Sequence, residues 1–573
     1  MNNTKYLNID YGLPEVSDLR ELMNNSVERH GSRPAYLVKD KPGGAYRPVS
    51  YREFRRDVTA FGTALLDMGL HGRKVAVIGE NRYEWIVTYM AVTCGGGVIV
   101  PLDKELPAEE VAGLIERAEV SAIVYSGKMG KALEDIFAAY GDAGLRISMD
   151  AEDDSGAEFS MKKLMGKGYK LLEAGRREFF ETEIDPDSMC SLLFTSGTTG
   201  LAKGVMLSHR NIASNVVAMS RGFCVERWTS LAVLPMHHTY SLTCDIMATM
   251  YQGCTVAICE GLKYILKNLA ESKANLMLAV PLMLEKMHQR IFKQAESKGK
   301  LSTLNRALAI SKALNLGETP LARKLFKEVH ESLGGHMKMF ISGGAAVSPT
   351  IIKDFNAMGI LALQGYGLTE SSPIIAVNRD RCHRDAAAGT TMRGTEIKII
   401  EPDEDGVGEI IARSPSVMLG YYGDPEKTAE VLRDGWLHTG DYGRFDKDGF
   451  LYVTGRKKDV IVTKNGKNIF PEEVEFYLLQ SPYIAEAVVW GFDDEKMGDT
   501  VVCVDIFPDY NYIGELHEDN SEAGIRNLLD REVDAANEKM PFYKHIKRFS
   551  IRKEEFEKTT TQKIKRHKVT HEN

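Results

Sequence analysis

The chain has 573 residues, too many for one ordinary hydrophobic core, so roughly two to four domains are expected. A hydrophobic fraction of 43% and a charged fraction of 27% suit a globular protein, and a formal net charge of -8 speaks against a nucleic-acid binder, which carries a basic excess. The eight cysteines, at 94, 190, 224, 244, 254, 259, 382 and 503, form no CxxC pair. That argues against a zinc knuckle or a thioredoxin-like site, and for free thiols in a reducing cytoplasm.

The opening MNNTKYLNIDYGLPEVSDLRELM lacks the apolar core of a secretion signal. The best apolar run, Val98 to Leu102 after AVTCGGG, falls well short of the ~18–20 residues of a membrane span. A cytoplasmic protein without a transmembrane segment is expected, with peripheral membrane contact left open. Ser50 and Glu53 then form a capping-box signature, Phe54, Val58, Phe61 and Leu65 recur at helical spacing, and Gly69 marks a stop. KVAVIGEN reads as a buried strand, a helix runs around Trp85 to Ala91, and GGGVIVPLD is a second strand. Pro107 opens a helix to about Ala118, and AIVYS is a third strand. This alternation predicts βαβ units and a parallel sheet covered on both faces.

A second alternating series runs over about 189–345. SLLFTS leads into a glycine loop, LSHRNIASNVVAM is the helix after it, and LAVLP, TVAIC, ANLMLAV and MKMFISGG are further strands. From about 372 to 452, short β-type runs (TEIKII, GEIIARS, FLYVTG) and the turns PDEDG and KDG predict a smaller, mostly antiparallel unit. After GRKKD a new alternation begins, with EEVEFYLLQ helical and AEAVVWGF and TVVCVDIF extended, and residues 508–524 read as a polar surface loop.

The glycine loop is FTSGTTGLAKGV, from Phe194 to Val205. It is not a Walker loop, because Lys203 follows Ala202 and precedes Gly204, which is the wrong register. Its glycines, Gly197 and Gly200 among them, nevertheless let backbone N–H groups approach phosphate oxygens. The hydroxyls of Thr195, Ser196, Thr198 and Thr199 add donors, and Lys203 adds positive charge. Taken alone, such a loop also suits a solvated surface turn.

The stretch resembles the phosphate-binding signature of the adenylate-forming superfamily, which holds acyl-CoA synthetases, luciferases and adenylation domains. Further boxes follow in the family's order. QGYGLTESSP supplies Tyr366, Gly367, Thr369 and Glu370; GWLHTGDYG supplies Thr439, Gly440 and Asp441; GRKKD supplies Arg456 to Asp459; and TTTQKIKR supplies Lys563. GKNIFPEEVE and VMLGYYGDPEKT are similar to the acyl-CoA ligase branch, and the final box is closest to a fatty-acid-activating form. Two departures stand out: Gln562-Lys563 replaces a common Gly-Lys, and AAAGTTMRGTEIKI lacks prolines usual in that turn.

The resemblance implies an α/β fold. A large N-terminal domain of stacked, mostly parallel sheets with helices and a small β unit would cover 1–457, with subdomains at about 1–188, 189–371 and 372–457. A small, mobile α+β C-terminal domain would cover 458–573, hinged at Lys458. The implied reaction joins a carboxylate to ATP as acyl-AMP, then passes the acyl group to coenzyme A, with an acyl-carrier protein as the alternative acceptor. A medium- or long-chain fatty acid is the expected substrate, with aromatic or other acids as the alternative.

By the same resemblance, Lys563 bridges the carboxylate and the α-phosphate, Thr195 and its loop hold phosphates, and Glu370 holds Mg2+. Asp441 takes the ribose hydroxyls, and Arg456 the ribose or phosphate. Gly343, Gly344 and Ala345 line adenine, Tyr366 stacks on it, and His238 stands near the carboxylate. Gly466 lines the thiol channel once the C-terminal domain has swung. The acyl pocket is expected between His238 and Tyr240, AVPLMLEKM and residues near Ser342 to Ala346, a space that Tyr240 or Met283 could fill.

Overall fold

The structure, a computed structural model, describes residues 10–140, 144–155, 158–195, 202–225, 227–463, 467–494, 499–516, 519–559 and 563–571. The chain forms two compact units, one of residues up to Glu396 with Ala412–Leu437, the other of Ile397–Ile411 with His438 onward.

The first unit is built on two sheets. In one, Val98–Leu102, Lys74–Ile78, Ala122–Tyr125, Leu145–Ser148 and Glu158–Ser160 lie side by side and parallel. Met189–Thr195 joins Val98–Leu102 in parallel, and Lys203–Ser208 folds back antiparallel on Met189–Thr195. Alternate side chains of these strands enter different cores. Val75, Val77, Ile99 and Val124 pack in one, and Ala76, Ile78, Val100 and Ile123 in the other. Both faces are therefore buried, which is why the strands read as unbroken apolar runs.

The other sheet runs Arg47–Ser50, Pro34–Val38, Thr255–Ile258, Thr229–Ala232, Leu276–Ala279, Met339–Ser342, Leu361–Gly367, Ile374–Val377 and Gly389–Thr391. The strands from Pro34–Val38 to Leu361–Gly367 are parallel, and the remainder antiparallel. Ala232, Leu276, Leu278 and Ile341 share the core of Val75 and Val77, so one apolar layer lies between the two sheets. Leu231, Met277, Ala279 and Phe340 face the helices on the far side.

Helix starts follow their sequence signals. Ser50 and Glu53 form the capping box of Tyr51–Asp67, and Ser208 with Asn211 that of His209–Gly222. Lys203–Ser208 departs from the expectation of a loop running directly into a helix. The glycine loop instead joins the two strands of an antiparallel hairpin, with Thr195 opposite Lys203.

In the second unit, Trp436–Phe445 and Phe450–Arg456 pair antiparallel. Further on, Ile484–Asp494, Asp499–Pro508 and Ile546–Ile551 form a three-stranded sheet. The helices Pro471–Leu478 and Glu522–Asn537 cover it through Val474, Leu478, Leu528, Leu529 and Val533. The stretch 508–524, expected as loop, contains the helix Tyr510–Leu516, anchored by buried Ile513. Among the described residues, no helix is long and apolar enough to cross a membrane.

Candidate active site

The first unit brings three motifs together at the carboxyl ends of its strands, where open α/β sheets form ligand crevices. Thr195 ends the strand Met189–Thr195 and Lys203 begins its return, both half-buried. The short strand Gly420–Tyr421 adds to the return strand, with Gly420 opposite Met206 and Tyr421 opposite Val205. This places the Lys203 ammonium over the Tyr421 ring, 4.9 Å from its centroid. The Tyr421 hydroxyl in turn donates to Glu370 Oε1 at 2.8 Å. Burial, and then the Glu370 charge, push the Tyr421 phenol well above its ordinary range, so it stays a donor.

Glu370 lies on the turn Thr369–Ser371, between antiparallel strands Leu361–Gly367 and Ile374–Val377. Its loop is fixed from two sides. Met418 N–H donates to the Glu370 carbonyl at 2.8 Å, and Asn215 Nδ2 donates to the Ile374 carbonyl at 2.9 Å and the Ser371 carbonyl at 3.3 Å. Asn215 belongs to His209–Gly222, the helix that follows the phosphate hairpin, so one helix ties the two motifs. Gly367 is required here by space: a Cβ would lie 1.9 Å from the Pro373 carbonyl oxygen. Thr369 and Tyr366 are half-buried, with Tyr366 opposite Ala376 on its strand.

Gly343, Gly344 and Ala345 follow the strand Met339–Ser342, with Gly344 and Ala345 exposed. The Tyr240 ring crosses this backbone. Its hydroxyl donates to the Ile341 carbonyl at 2.8 Å, and a Cβ on Gly343 would meet the ring at 2.8 Å. Tyr240 thus fills the space beside Gly343, and it begins a π-helical stretch, Tyr240–Met247. The histidine loop is held by Asn81, which donates to the Leu234 carbonyl at 2.7 Å and accepts from Met236 N–H at 3.1 Å. His238 packs against His237 with ring centroids 4.2 Å apart, and His237 Nε2 faces Asp103 Oδ2 at 3.5 Å.

The second unit gathers the remaining charged residues. Asp441 and Arg456 are opposite each other on paired strands, and Arg456 Nε contacts Asp441 Oδ1 at 2.9 Å. Asp441 is buried, and its N–H donates to Thr439 Oγ1, which donates to the Ile410 carbonyl at 2.7 Å. Lys563 belongs to the same neighbourhood. It exposes part of its surface, yet burial, and then the Arg456 charge, lower its pKa against the opposing pull of Asp441. Lys458 sits in the turn Lys457–Asp459 directly after the strand of Arg456. Ser196, Gly197, Thr198, Thr199 and Gly200 of the phosphate loop, and Gly466, lie outside the described residues.

In the first unit a hydroxyl-rich hairpin suits phosphate oxygens, and in the second a buried carboxylate beside cations suits hydroxyl donors such as those of a ribose. The AMP-binding enzyme profile matches residues 23–422, and that of the AMP-binding enzyme C-terminal domain matches 458–572. The chain belongs to the AMP-binding enzyme family. Members are adenylate-forming enzymes that use ATP with Mg2+ and take coenzyme A as a substrate, and this chain is an adenylate-forming acyl ligase.

Among curated relatives, the long-chain-fatty-acid–CoA ligase ACSBG2 of Xenopus laevis is 29% identical, over 84% of this chain and 68% of its own. The long-chain-fatty-acid–[acyl-carrier-protein] ligase AEE15 of Arabidopsis thaliana is 26% identical, over 90% of this chain and 79% of its own. The anthranilate CoA ligase AuaEII in complex with anthranoyl-AMP shares the fold with a TM-score of 0.75, at 20% identity and 97% coverage of both chains. ATP-bound MatB from Rhodopseudomonas palustris gives a TM-score of 0.72 at 24% identity, over 96% of this chain and 97% of its own.

Tyr421 is the functional candidate that sequence reasoning missed. Its signal was the run VMLGYYGDPEKT, which resembled the ligase branch without suggesting that its tyrosine links the phosphate-loop lysine to the acidic motif.

Proposed function

We propose that the protein activates a medium- or long-chain fatty acid as its acyl-adenylate and transfers the acyl group to coenzyme A. In the first half-reaction, a carboxylate oxygen attacks the α-phosphorus of ATP, and the bond from that phosphorus to pyrophosphate breaks. In the second, the thiol sulfur attacks the acyl carbonyl carbon, the bond to AMP breaks, and the thiol proton passes to solvent. Two anions must meet in the first step, so a cation positioned where charge builds is the main requirement. Lys563 supplies it. Lys203 and Thr195 hold the outer phosphates, Asp441 accepts from the ribose hydroxyls, and Arg456 orients Asp441 and faces the phosphate. Glu370 is a hard oxygen donor of the kind Mg2+ prefers, and that ion offsets phosphate charge when bound.

The observation that supports this most is the grouping of Lys563 with Arg456 and buried Asp441, where two cations share the neighbourhood of a carboxylate suited to hydroxyl donors. A fatty acid is favoured by the long-chain-fatty-acid–CoA ligase names among the relatives. An acyl-carrier protein as acceptor is a second reading, favoured by the Arabidopsis thaliana relative. The test is pyrophosphate release across a panel of carboxylic acids, followed by thioester detection with coenzyme A or a holo acyl-carrier protein. Aliphatic acids with coenzyme A should give both products. Turnover confined to aromatic acids, or thioester formed only on the carrier protein, would overturn the reading.

A further inference from the structure

Lys563 lies outside any helix or sheet strand, so something else must place it. Lys558 and Ile564 form an isolated bridge, and Thr559 exchanges two bonds with Lys563: its N–H donates to the Lys563 carbonyl at 2.8 Å, and its Oγ1 accepts from Lys563 N–H at 3.2 Å. These bonds close the segment on itself without attaching it to the body of the unit. Before Lys563, the attachments are buried Phe556, whose N–H donates to Glu486 Oε2 at 2.9 Å, and the Lys558–Glu486 ion pair.

Three residues after Lys563, Arg566 makes the nearest attachment on the other side, and His571 makes a further one through Asp505 Oδ2 at 2.6 Å and the Trp490 ring. Arg566 Nη2 donates to Glu475 Oε2 at 2.5 Å and its Nη1 to the Val489 carbonyl at 3.3 Å, while Glu475 Oε1 accepts from Val489 N–H at 2.7 Å. Guanidinium, carboxylate and the Val489 backbone thus close a ring. Glu475 stands on the helix Pro471–Leu478 with its side chain 10% exposed. Burial pushes its carboxyl up, and the Arg566 charge opposes that shift. The guanidinium also feels a second carboxylate, half-buried Glu472, from the same helix turn.

We propose that the Arg566–Glu475 pair is the positioning element for Lys563, an inference that rests on Lys563 being the adenylating ammonium. A buried ion pair adds little net stability but fixes register, because moving either partner strands a charge. The tail therefore docks in one place, and the ammonium three residues away is held where charge develops in the adenylation step. Arg566 and Glu475 touch no substrate in this account; they act through Lys563.

The test uses the full chain and measures both half-reactions: ATP–pyrophosphate exchange, and thioester formation from supplied dodecanoyl-adenylate and coenzyme A. Glu475→Gln keeps an acceptor for Val489 N–H and loses only the charge; Arg566→Gln loses the charge from the other side. Each should lower kcat for exchange by about 10- to 100-fold and leave KM for ATP within about threefold. Thioester formation should stay at the wild-type rate, and the double variant should be no slower than either single. Arg566→Lys restores the charge without the two-armed geometry and should recover part of the loss.

Lys563→Ala in the same assays separates the two ideas. If that variant retains exchange, the reading of Lys563 falls and this inference with it. If it loses exchange while both pair variants keep wild-type kcat, the inference alone is overturned. It is also overturned if the pair variants slow both half-reactions equally, because that is the signature of general destabilisation.

Discussion

Removing the Tyr421 hydroxyl tests whether the link between Lys203 and Glu370 matters. Tyr421→Phe keeps the ring under Lys203 and deletes only the donor that reaches Glu370 Oε1 at 2.8 Å. A hydrogen bond to a charged group contributes about 1.5–3 kcal/mol when buried. Glu370 is half-buried and water can replace part of that bond, so the lower end, about 1.5 kcal/mol, applies. That is about tenfold in the carboxylate's preference for its working position. The apparent Mg2+ requirement of pyrophosphate release should rise by about that factor, with the fatty-acid KM unchanged. Tyr421→Leu also removes the ring face and with it the cation–π contact, about 0.5–2 kcal/mol, so it should raise the KM for ATP as well. The reasoning fails if Tyr421→Phe leaves the Mg2+ requirement untouched, or if the leucine and phenylalanine variants behave alike.

Adenylation should decline on the alkaline side at a lower pH than an ordinary lysine would dictate. In the proposed role the active form of Lys563 is the ammonium, and burial together with Arg456 lowers its pKa, so the proton should be lost early; a pH–rate profile of ATP–pyrophosphate exchange reads this limb. Asp441→Asn removes the charge that opposes this shift and should move the same limb to still lower pH. Gly367→Ala places a Cβ against the Pro373 carbonyl and should cost about 2–4 kcal/mol, seen as a lower midpoint in thermal denaturation. Tyr240→Ala empties the space beside Gly343, and the chain-length profile of pyrophosphate release should shift to longer acids. An unchanged profile would place the acyl pocket elsewhere.

The alternation over Lys74–Tyr125 was readable because its strands are buried on both faces and its helices carry local start signals, the Ser50–Glu53 box above all. Which sheet each strand joins was not readable. Pro34–Val38 pairs with Thr255–Ile258, and Met189–Thr195 with Val98–Leu102, so early and late strands exchange between the sheets. Parallel pairing over such separations is decided by which apolar faces meet in the shared layer, and nothing in a short window records that.

The return strand Lys203–Ser208 was hidden for another reason. It opens with a charged residue and a glycine, both poor strand formers, and is held by its partners on either side. The site follows the same division. Residue types inside single boxes, such as Thr195 with Lys203 or Asp441, were legible because their chemistry is local. The links between boxes were not. Tyr421 reaches Glu370 because two strands from distant parts of the chain meet at one edge, and Arg566 reaches Glu475 only once a helix and a tail have docked. In both cases the catalytic candidate was visible and its support was not. In the proposed arrangement the lysine near the terminus is placed by an ion pair between a helix and the tail, and that pair exists in the folded chain alone.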